Sequence, residues 1–188
     1  MKWGLISIAV VAAAGTSADA ATLPAPVRGV TANLAVTKGD VFVSSGKVTA
    51  PMQVPIGAVI DARHGAARLS LAKDSQGELQ TGTFSGGLFQ VVQRRSSALT
   101  ELRLGGGMFD TCTRAGGATR RLVANVHGSF RTRGRYSTAT ARGTKWTMTD
   151  TCSGTLTFVA RGSVSVRDFP AGTTVRVTAG HRYLARPR

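Results

Sequence analysis

Apolar and polar residues alternate along residues 142–168 in the way that is typical of half-buried β-strands. A glycine turn at Ser153-Gly154 divides this stretch, and the alternation resumes after it with Leu156 and Phe158. The pattern predicts a β-hairpin followed by a continuing strand. The first strand has Trp146, Met148, Asp150 and Cys152 on one face and Lys145, Thr147, Thr149 and Thr151 on the other.

The same period of two recurs through most of the chain. Residues 30–48 predict a first hairpin around Ser44-Ser45-Gly46, and further short strands follow at intervals of about 8 to 12 residues with glycine turns between them. No segment shows a convincing helical period. We therefore predict an all-β sandwich or barrel with very little helix outside the amino terminus.

One segment, residues 94–126, is less regular, because Gly105-Gly106-Gly107 and Gly116-Gly117 break it twice. We predict an edge strand here, with a long glycine-rich excursion that carries Cys112. A long irregular insertion in a compact domain needs a tether.

The amino terminus has the three parts of a secretory signal: Lys2, an apolar run over residues 4–15, and Ala18-Asp19-Ala20. We predict a signal peptide at 1–20 that is cleaved after Ala20; an uncleaved anchor is the alternative. The apolar run is short for a membrane span, and none follows it, so we expect no transmembrane span after cleavage. The predicted organisation is an amino-terminal extension with the first strand at 21–35 and a single β domain at 36–185.

The two cysteines, Cys112 and Cys152, are an even pair in a chain expected to be exported, which favours a structural disulfide. Closing this loop stabilises by about 4 kcal/mol in the chain-entropy model. A metal site would need further ligands at suitable spacing, and a redox pair is normally C-x-x-C. We expect no metal and no cofactor, since His64, His127 and His181 are scattered beside glycines.

Charge suggests a class of partner. The formal net charge is +15, and 19 of the 24 basic residues are arginine, a bias that codon usage can also produce. Such a chain is attracted to anionic wall polymers or acidic glycans, with an affinity that falls as salt rises. Specific nucleic-acid binding is not expected, because aromatic residues are few and no recognised binding motif is present.

The candidate binding residues are arginines. Arg131, Arg133 and Arg135 alternate on a predicted strand, where they would stand about 7 Å apart, a spacing that suits a repeating polyanion. The alternative is a solvated face that discourages edge-to-edge pairing. Further candidates for the same surface are Arg120, Arg121 and Arg142.

Two stretches of the chain resemble the two halves of a FecR-type domain. The first has Gly39-Asp-Val-Phe-Val, Val54-Pro-Ile-Gly-Ala-Val-Ile-Asp and Ala67-Arg-Leu-Ser-Leu-Ala; the second has Arg142-Gly-Thr-Lys-Trp, Gly154-Thr-Leu-Thr-Phe-Val-Ala-Arg-Gly-Ser-Val-Ser-Val and Val177-Thr-Ala-Gly-His. The resemblance covers residues 36–185 and implies a jelly-roll-like β-sandwich, similar to a variant in exported actinobacterial proteins. Control of a sigma factor is not expected, because the cytoplasmic region and retained membrane span of a true regulator are missing.

Residue patterns for catalysis are also missing. The chain has no G-x-S-x-G elbow, and a catalytic thiol would leave one cysteine free. We therefore expect a non-catalytic envelope module with a structural or interaction role, whose partner is an anionic wall polymer or another envelope protein. The alternatives are an extracytoplasmic sensory or signalling domain and a wall-polymer enzyme, the last requiring Asp150 or Asp168 to meet another carboxylate in a pocket.

Overall fold

A computed structural model describes residues 23–110, Cys112 and 119–188, so the predicted signal peptide lies outside the described residues. Within these ranges the chain forms β-strands and no helix. The prediction of an all-β, sandwich-like fold is confirmed. The strands are β1 (Thr31–Val43), β2 (Gly46–Lys47), β3 (Met52–Pro55), β4 (Val59–Ala72), β5 (Leu79–Ser85), β6 (Leu88–Gln93), β7 (Thr100–Gly105), β8 (Arg120–His127), β9 (Ser129–Arg133), β10 (Ser137–Arg142), β11 (Lys145–Thr151), β12 (Gly154–Arg161), β13 (Ser163–Asp168), β14 (Thr174–Thr178) and β15 (Arg182–Ala185).

The strands form one continuous sheet that divides around the long strand β4. One edge of β4 pairs with β1, and the other pairs with β6 near its start and with β5 near its end. From β6 the order continues through β7, β9, β10, β13 and β14; we call these six strands the first half-sheet. From β5 it continues through β8, β11, β12 and β15, which make the second half-sheet.

The division occurs at Gly86-Gly87, between β5 and β6. Ala62 of β4 donates a backbone hydrogen bond to Gly87 (2.9 Å) and accepts one from Gly86 (2.8 Å). The two short strands β5 and β6 therefore lie end to end along the same edge of β4. A Cβ atom at Gly87 would lie 1.9 Å from the carbonyl oxygen of Arg121 in β8. Only glycine fits this close approach, and the chain bends here from one half-sheet to the other.

The inner faces of the two half-sheets meet in one core. Phe84 of β5 packs against Phe89 of β6 and Phe130 of β9, each pair with ring centroids 5.6 Å apart in a tilted arrangement. Trp146 of β11 is fully buried, and its indole N–H donates to the hydroxyl of Thr132 in β9 at 2.9 Å. This hydrogen bond satisfies two buried polar groups and links the half-sheets.

The hairpin of β11 and β12 forms as predicted, and the apolar residues Leu156 and Phe158 of its second strand lie on the outer face. Because the turn has only two residues, Thr151 pairs with Gly154, and Asp150 with Thr155. Directly opposed residues share a face, so the fully buried face of β11 continues onto Thr155 and Thr157. The apolar residues Leu156 and Phe158 therefore lie on the outer face, where Phe158 is 41% exposed.

The irregular segment 94–126 contains two strands, and its first strand is not at an edge. β7 pairs antiparallel with β6 and parallel with β9, so the prediction of an edge strand is wrong. The parallel partner of β7 is β9, which follows β8 of the second half-sheet in the sequence. Local residue patterns do not show a pairing between strands separated in this way. Residues 111 and 113–118, which include the second glycine pair of the excursion, lie outside the described residues.

Strand β1 spans the predicted division between residues 35 and 36 and pairs with β4 on both sides of it. The last strand, β15, ends at Ala185, where the predicted domain ends.

Candidate anion-binding face

The outer face of the first half-sheet is rich in arginine. In β9, Phe130 and Thr132 point into the core, so Arg131 and Arg133 point outward. The strand register places further arginines from other strands on the same side. We call this surface the arginine face; its members are Arg103 of β7, Arg131 and Arg133 of β9, Arg142 of β10, Arg167 of β13 and Arg176 of β14.

These arginines fall in rows across the strands. Arg103 lies directly beside Arg133, because β7 and β9 are paired in parallel. Arg133 is followed by Thr138 and then Arg167 on the next two strands, which places the two arginine backbones about 10 Å apart. The positions between the arginines are small and polar: Ser129, Thr138, Thr140, Ser163, Ser165, Thr174 and Thr178.

Among the outward positions of these six strands, Glu101 of β7 is the one acidic residue, and it is already paired. Its side chain is only 6% exposed and accepts a hydrogen bond from Nε of Arg103 (2.7 Å), while its other oxygen lies 2.7 Å from Nη2 of Arg131. Burial raises the pKa of Glu101, but the hydrogen bond from Arg103 and the charges of Arg131, Arg103 and Arg133 outweigh it. The pKa of Glu101 is therefore lowered, which keeps its carboxylate ionised.

The turn between β6 and β7 lies against this group and forms a cleft of about 320 Å³. Arg94, Ser96 and Ser97 of the turn line one side, and Glu101 with the arginines of β7 and β9 lines the other. The Nε atom of Arg131 is buried and has no hydrogen-bond partner among the described residues. A buried donor without an acceptor costs about 1–3 kcal/mol.

The structure divides the six arginines predicted to bind polyanions. Arg131, Arg133 and Arg142 lie on the arginine face. Arg135 does not, contrary to the prediction, because β9 ends at Arg133 and Arg135 belongs to the connection to β10. Arg121 is exposed on β8 of the second half-sheet.

Arg120 and Arg135 have a structural role around the buried carboxylate of Asp150. Asp150 is fully buried and accepts hydrogen bonds from Nε of Arg120 (2.8 Å), from the backbone N–H of Arg135 (3.1 Å) and from the hydroxyl of Thr155. The guanidinium carbons of both arginines also lie within 4.9 Å of the ring centroid of Phe109. This network holds the β9–β10 connection against the β11–β12 hairpin.

The predicted disulfide between Cys112 and Cys152 is confirmed, with the two Cα atoms 5.3 Å apart. Cys152 lies in the turn of the β11–β12 hairpin, next to Asp150. A guanidinium nitrogen of Arg135 lies 3.4 Å from the sulfur of Cys112. The disulfide therefore pins the excursion after β7 to the hairpin at the Asp150 network.

Asp168, the other acidic residue singled out in the sequence, is also held by its own donors. It accepts hydrogen bonds from the hydroxyl of Tyr183 and from the backbone N–H of Ala171, both at 2.9 Å. The hydrogen bond to Asp168 raises the pKa of Tyr183. In the described part of the chain, no group of three histidine, cysteine, aspartate or glutamate residues is arranged to hold a metal.

Sequence reasoning missed half of the arginine face, namely Arg103, Arg167 and Arg176, and it also missed Glu101. The alternating pattern could have identified Arg167 and Arg176, because the buried pairs Val164/Val166 and Val175/Val177 alternate with outward residues. Arg103 could not be placed, since its position depends on the parallel pairing of β7 and β9.

In the described ranges, no helix is long and apolar enough to cross a membrane. Comparisons with protein-family models, with curated proteins and with solved structures found no match to this chain.

Proposed function

We propose that this chain is an exported, non-catalytic binding module that attaches to anionic polymers of the cell envelope through its arginine face. The single observation that carries the proposal is the placement of six arginines and one already neutralised glutamate on one side of one half-sheet. The formal net charge of +15 adds a long-range attraction for any polyanion.

The composition of the face suits a polymer rather than one compact ligand. Guanidinium groups bind carboxylate and phosphate through two parallel hydrogen bonds, and they lose less hydration than ammonium groups do. Neighbouring strands lie about 4.8 Å apart and residues on one face lie about 7 Å apart along each strand, which offers a repeating anion several registers. Short Ser and Thr side chains between the arginines leave the guanidinium groups accessible.

Three further features support an envelope location. The Cys112–Cys152 disulfide is the kind of bond that persists in an oxidising compartment. The amino-terminal signal pattern and the resemblance to FecR-type domains, which occur outside the cytoplasm, are parts of the same proposal.

The test compares two triple variants with the same change of charge. The first, Arg142→Gln with Arg167→Gln and Arg176→Gln, removes exposed arginines of the face. The control, Arg68→Gln with Arg121→Gln and Arg182→Gln, removes three exposed arginines from β4, β8 and β15. Binding of the chain without residues 1–20 to a glycerol-phosphate polymer and to polygalacturonate is measured by calorimetry at low and high salt.

We expect the wild-type protein to bind at low salt and to release the polymer as salt rises. Three exposed contacts at about 0.5 kcal/mol each predict a loss of about tenfold in affinity for the first triple variant. The control should stay within about twofold of wild type. Equal losses in both variants would show attraction by net charge alone, and absence of binding at low salt would refute the proposal outright.

A further inference from the structure

At the cleft beside the β6–β7 turn, cationic side chains converge from three segments. Arg94 comes from the turn, Arg103 from β7, and Arg131 with Arg133 from β9. Against these four positive charges the cleft contains one acidic residue, Glu101.

We propose that this cleft binds a terminal phosphate group of the polymer, and that it gives the arginine face a preference for polymers that end in phosphate over carboxylated ones. The inference rests on the proposed function, because it assigns the ligand chemistry of the same surface. The first argument for it is charge. A single carboxylate ligand would leave two of the three uncompensated guanidinium charges unneutralised, whereas a terminal phosphate carries about −1.5 to −2 at neutral pH.

The second argument is geometry. Glu101 already uses Nε of Arg103 and a terminal nitrogen of Arg131, so these two arginines are held in place by a carboxylate inside the protein. Because Nε of Arg131 is buried, the N–H groups that remain for a ligand are the other terminal ones of Arg103 and Arg131 and those of the exposed Arg94 and Arg133. A tetrahedral phosphate presents oxygens in several directions and can accept from more than one guanidinium fork, while a planar carboxylate matches only one.

The third argument is preorganisation and size. Glu101 is buried and ionised, so it keeps Arg103 and Arg131 side by side without a ligand and offsets their mutual repulsion. A volume of about 320 Å³ is at the small end of the range for ligand sites. The cleft therefore has room for one phosphate with the glycerol or sugar unit that bears it, and the polymer would continue across the open arginine face.

The experiment uses two exposed cleft residues that make no hydrogen bond to Glu101. Arg94→Gln and Arg133→Gln are compared with Arg167→Gln and Arg176→Gln, which lie on the same face outside the cleft. Inorganic phosphate, glycerol 3-phosphate and acetate are titrated into each protein at constant ionic strength. The ¹H–¹⁵N signals of residues 94–103 and 131–133 are followed, and unfolding midpoints are measured to verify that each variant is folded.

We expect both phosphate probes, but not acetate, to shift the cleft signals. Each cleft variant should weaken binding of glycerol 3-phosphate about tenfold, and each control should change it less than about twofold. In the polymer assay, a glycerol-phosphate polymer that ends in a phosphate monoester should bind more tightly than polygalacturonate, and Arg133→Gln should reduce that difference.

Three results would overturn the assignment: equal shifts with acetate, equal losses in cleft and control variants, or no shift of the cleft signals with phosphate. If any of these occurred while the polymer still bound through Arg142, Arg167 and Arg176, the proposed function would stand and only the cleft assignment would fail. Binding of phosphate in the cleft without binding of either polymer would refute the proposed function, and with it the assignment of the cleft to a polymer.

Discussion

Replacing Asp150 by asparagine removes the charge at the centre of the network between the β9–β10 connection and the β11–β12 hairpin. The side chain of Asp150 is fully buried, and its donors are the guanidinium of Arg120, the backbone N–H of Arg135 and the hydroxyl of Thr155. An amide keeps one acceptor oxygen but directs an NH₂ group toward groups that are themselves donors. Arg120, whose side chain is only 21% exposed, would lose its counter-charge.

The expected cost follows from these contacts. Breaking a buried ion pair by removing one partner costs about 3–5 kcal/mol, because the remaining charge stays buried without compensation. Partial exposure of Arg120 lets water reach it, so we expect the lower part of this range, about 3 kcal/mol. The measurement is urea-induced unfolding of the oxidised protein with the disulfide intact, comparing the free energies of unfolding of wild type and Asp150→Asn.

Asp61→Asn is the matched control. Asp61 pairs with Arg63 at 2.6 Å, but the side chain of Arg63 is 61% exposed, so solvent screens the pair and it contributes little to stability. If Asp150→Asn cost no more than Asp61→Asn, the claim that Asp150 holds the connection and the hairpin together would be wrong. A double-mutant cycle with Arg120→Gln should give a coupling energy above about 1 kcal/mol, and a coupling near zero would refute the pairing.

Three further predictions concern pH, the disulfide and backbone crowding. Because the pKa of Glu101 is lowered in the folded state, its contribution to stability is present above its unfolded pKa near 4.5 and is lost as pH falls through the folded value. Glu101→Gln should therefore flatten the acid side of a plot of the unfolding midpoint against pH. An unchanged profile would contradict this. Replacing both Cys112 and Cys152 by serine should lower the free energy of unfolding by about 4 kcal/mol in the chain-entropy model; chemical denaturation measures this, and a loss below about 1 kcal/mol would show that the loop is held by other contacts. Gly87→Ala should destabilise the protein by more than about 3 kcal/mol, since the new methyl group would overlap a backbone carbonyl. Gly46→Ala, where the nearest atom is 3.4 Å away, should be tolerated. Equal thermal midpoints for the two variants would argue against the close approach at Gly87.

The alternation of residues predicted much of the architecture. The all-β class, the first hairpin, the hairpin of β11 and β12 and the pairing of Cys112 with Cys152 all follow from local pattern, from glycine turns and from the parity of the cysteines. The facing of β12 does not follow from its apolar residues. A two-residue turn sets the register, and the buried face of β11 then requires Thr155 and Thr157 to point inward although Leu156 and Phe158 are more apolar.

Sequence reasoning could predict only part of the candidate site, because the site depends on pairing between strands that are distant in the sequence. Alternation correctly placed Arg131 and Arg133 on one face. It also extended the predicted strand to Arg135, because no local residue pattern shows that the backbone N–H of Arg135 donates to Asp150 instead. Glu101 was missed for a related reason. Its significance depends on the parallel register that places it beside Arg131.

That parallel pairing also has a consequence for how the arginine face is assembled. Between β7 and β9 the chain leaves the first half-sheet, forms β8 against β5, and returns. Glu101 and Arg131 are therefore brought together by a pairing that spans an excursion into the second half-sheet, and folds rich in such long-range contacts form slowly. The cleft thus exists only where this pairing is made, so fragments and partly folded chains that lack the pairing would carry arginines of the same face but not the cleft.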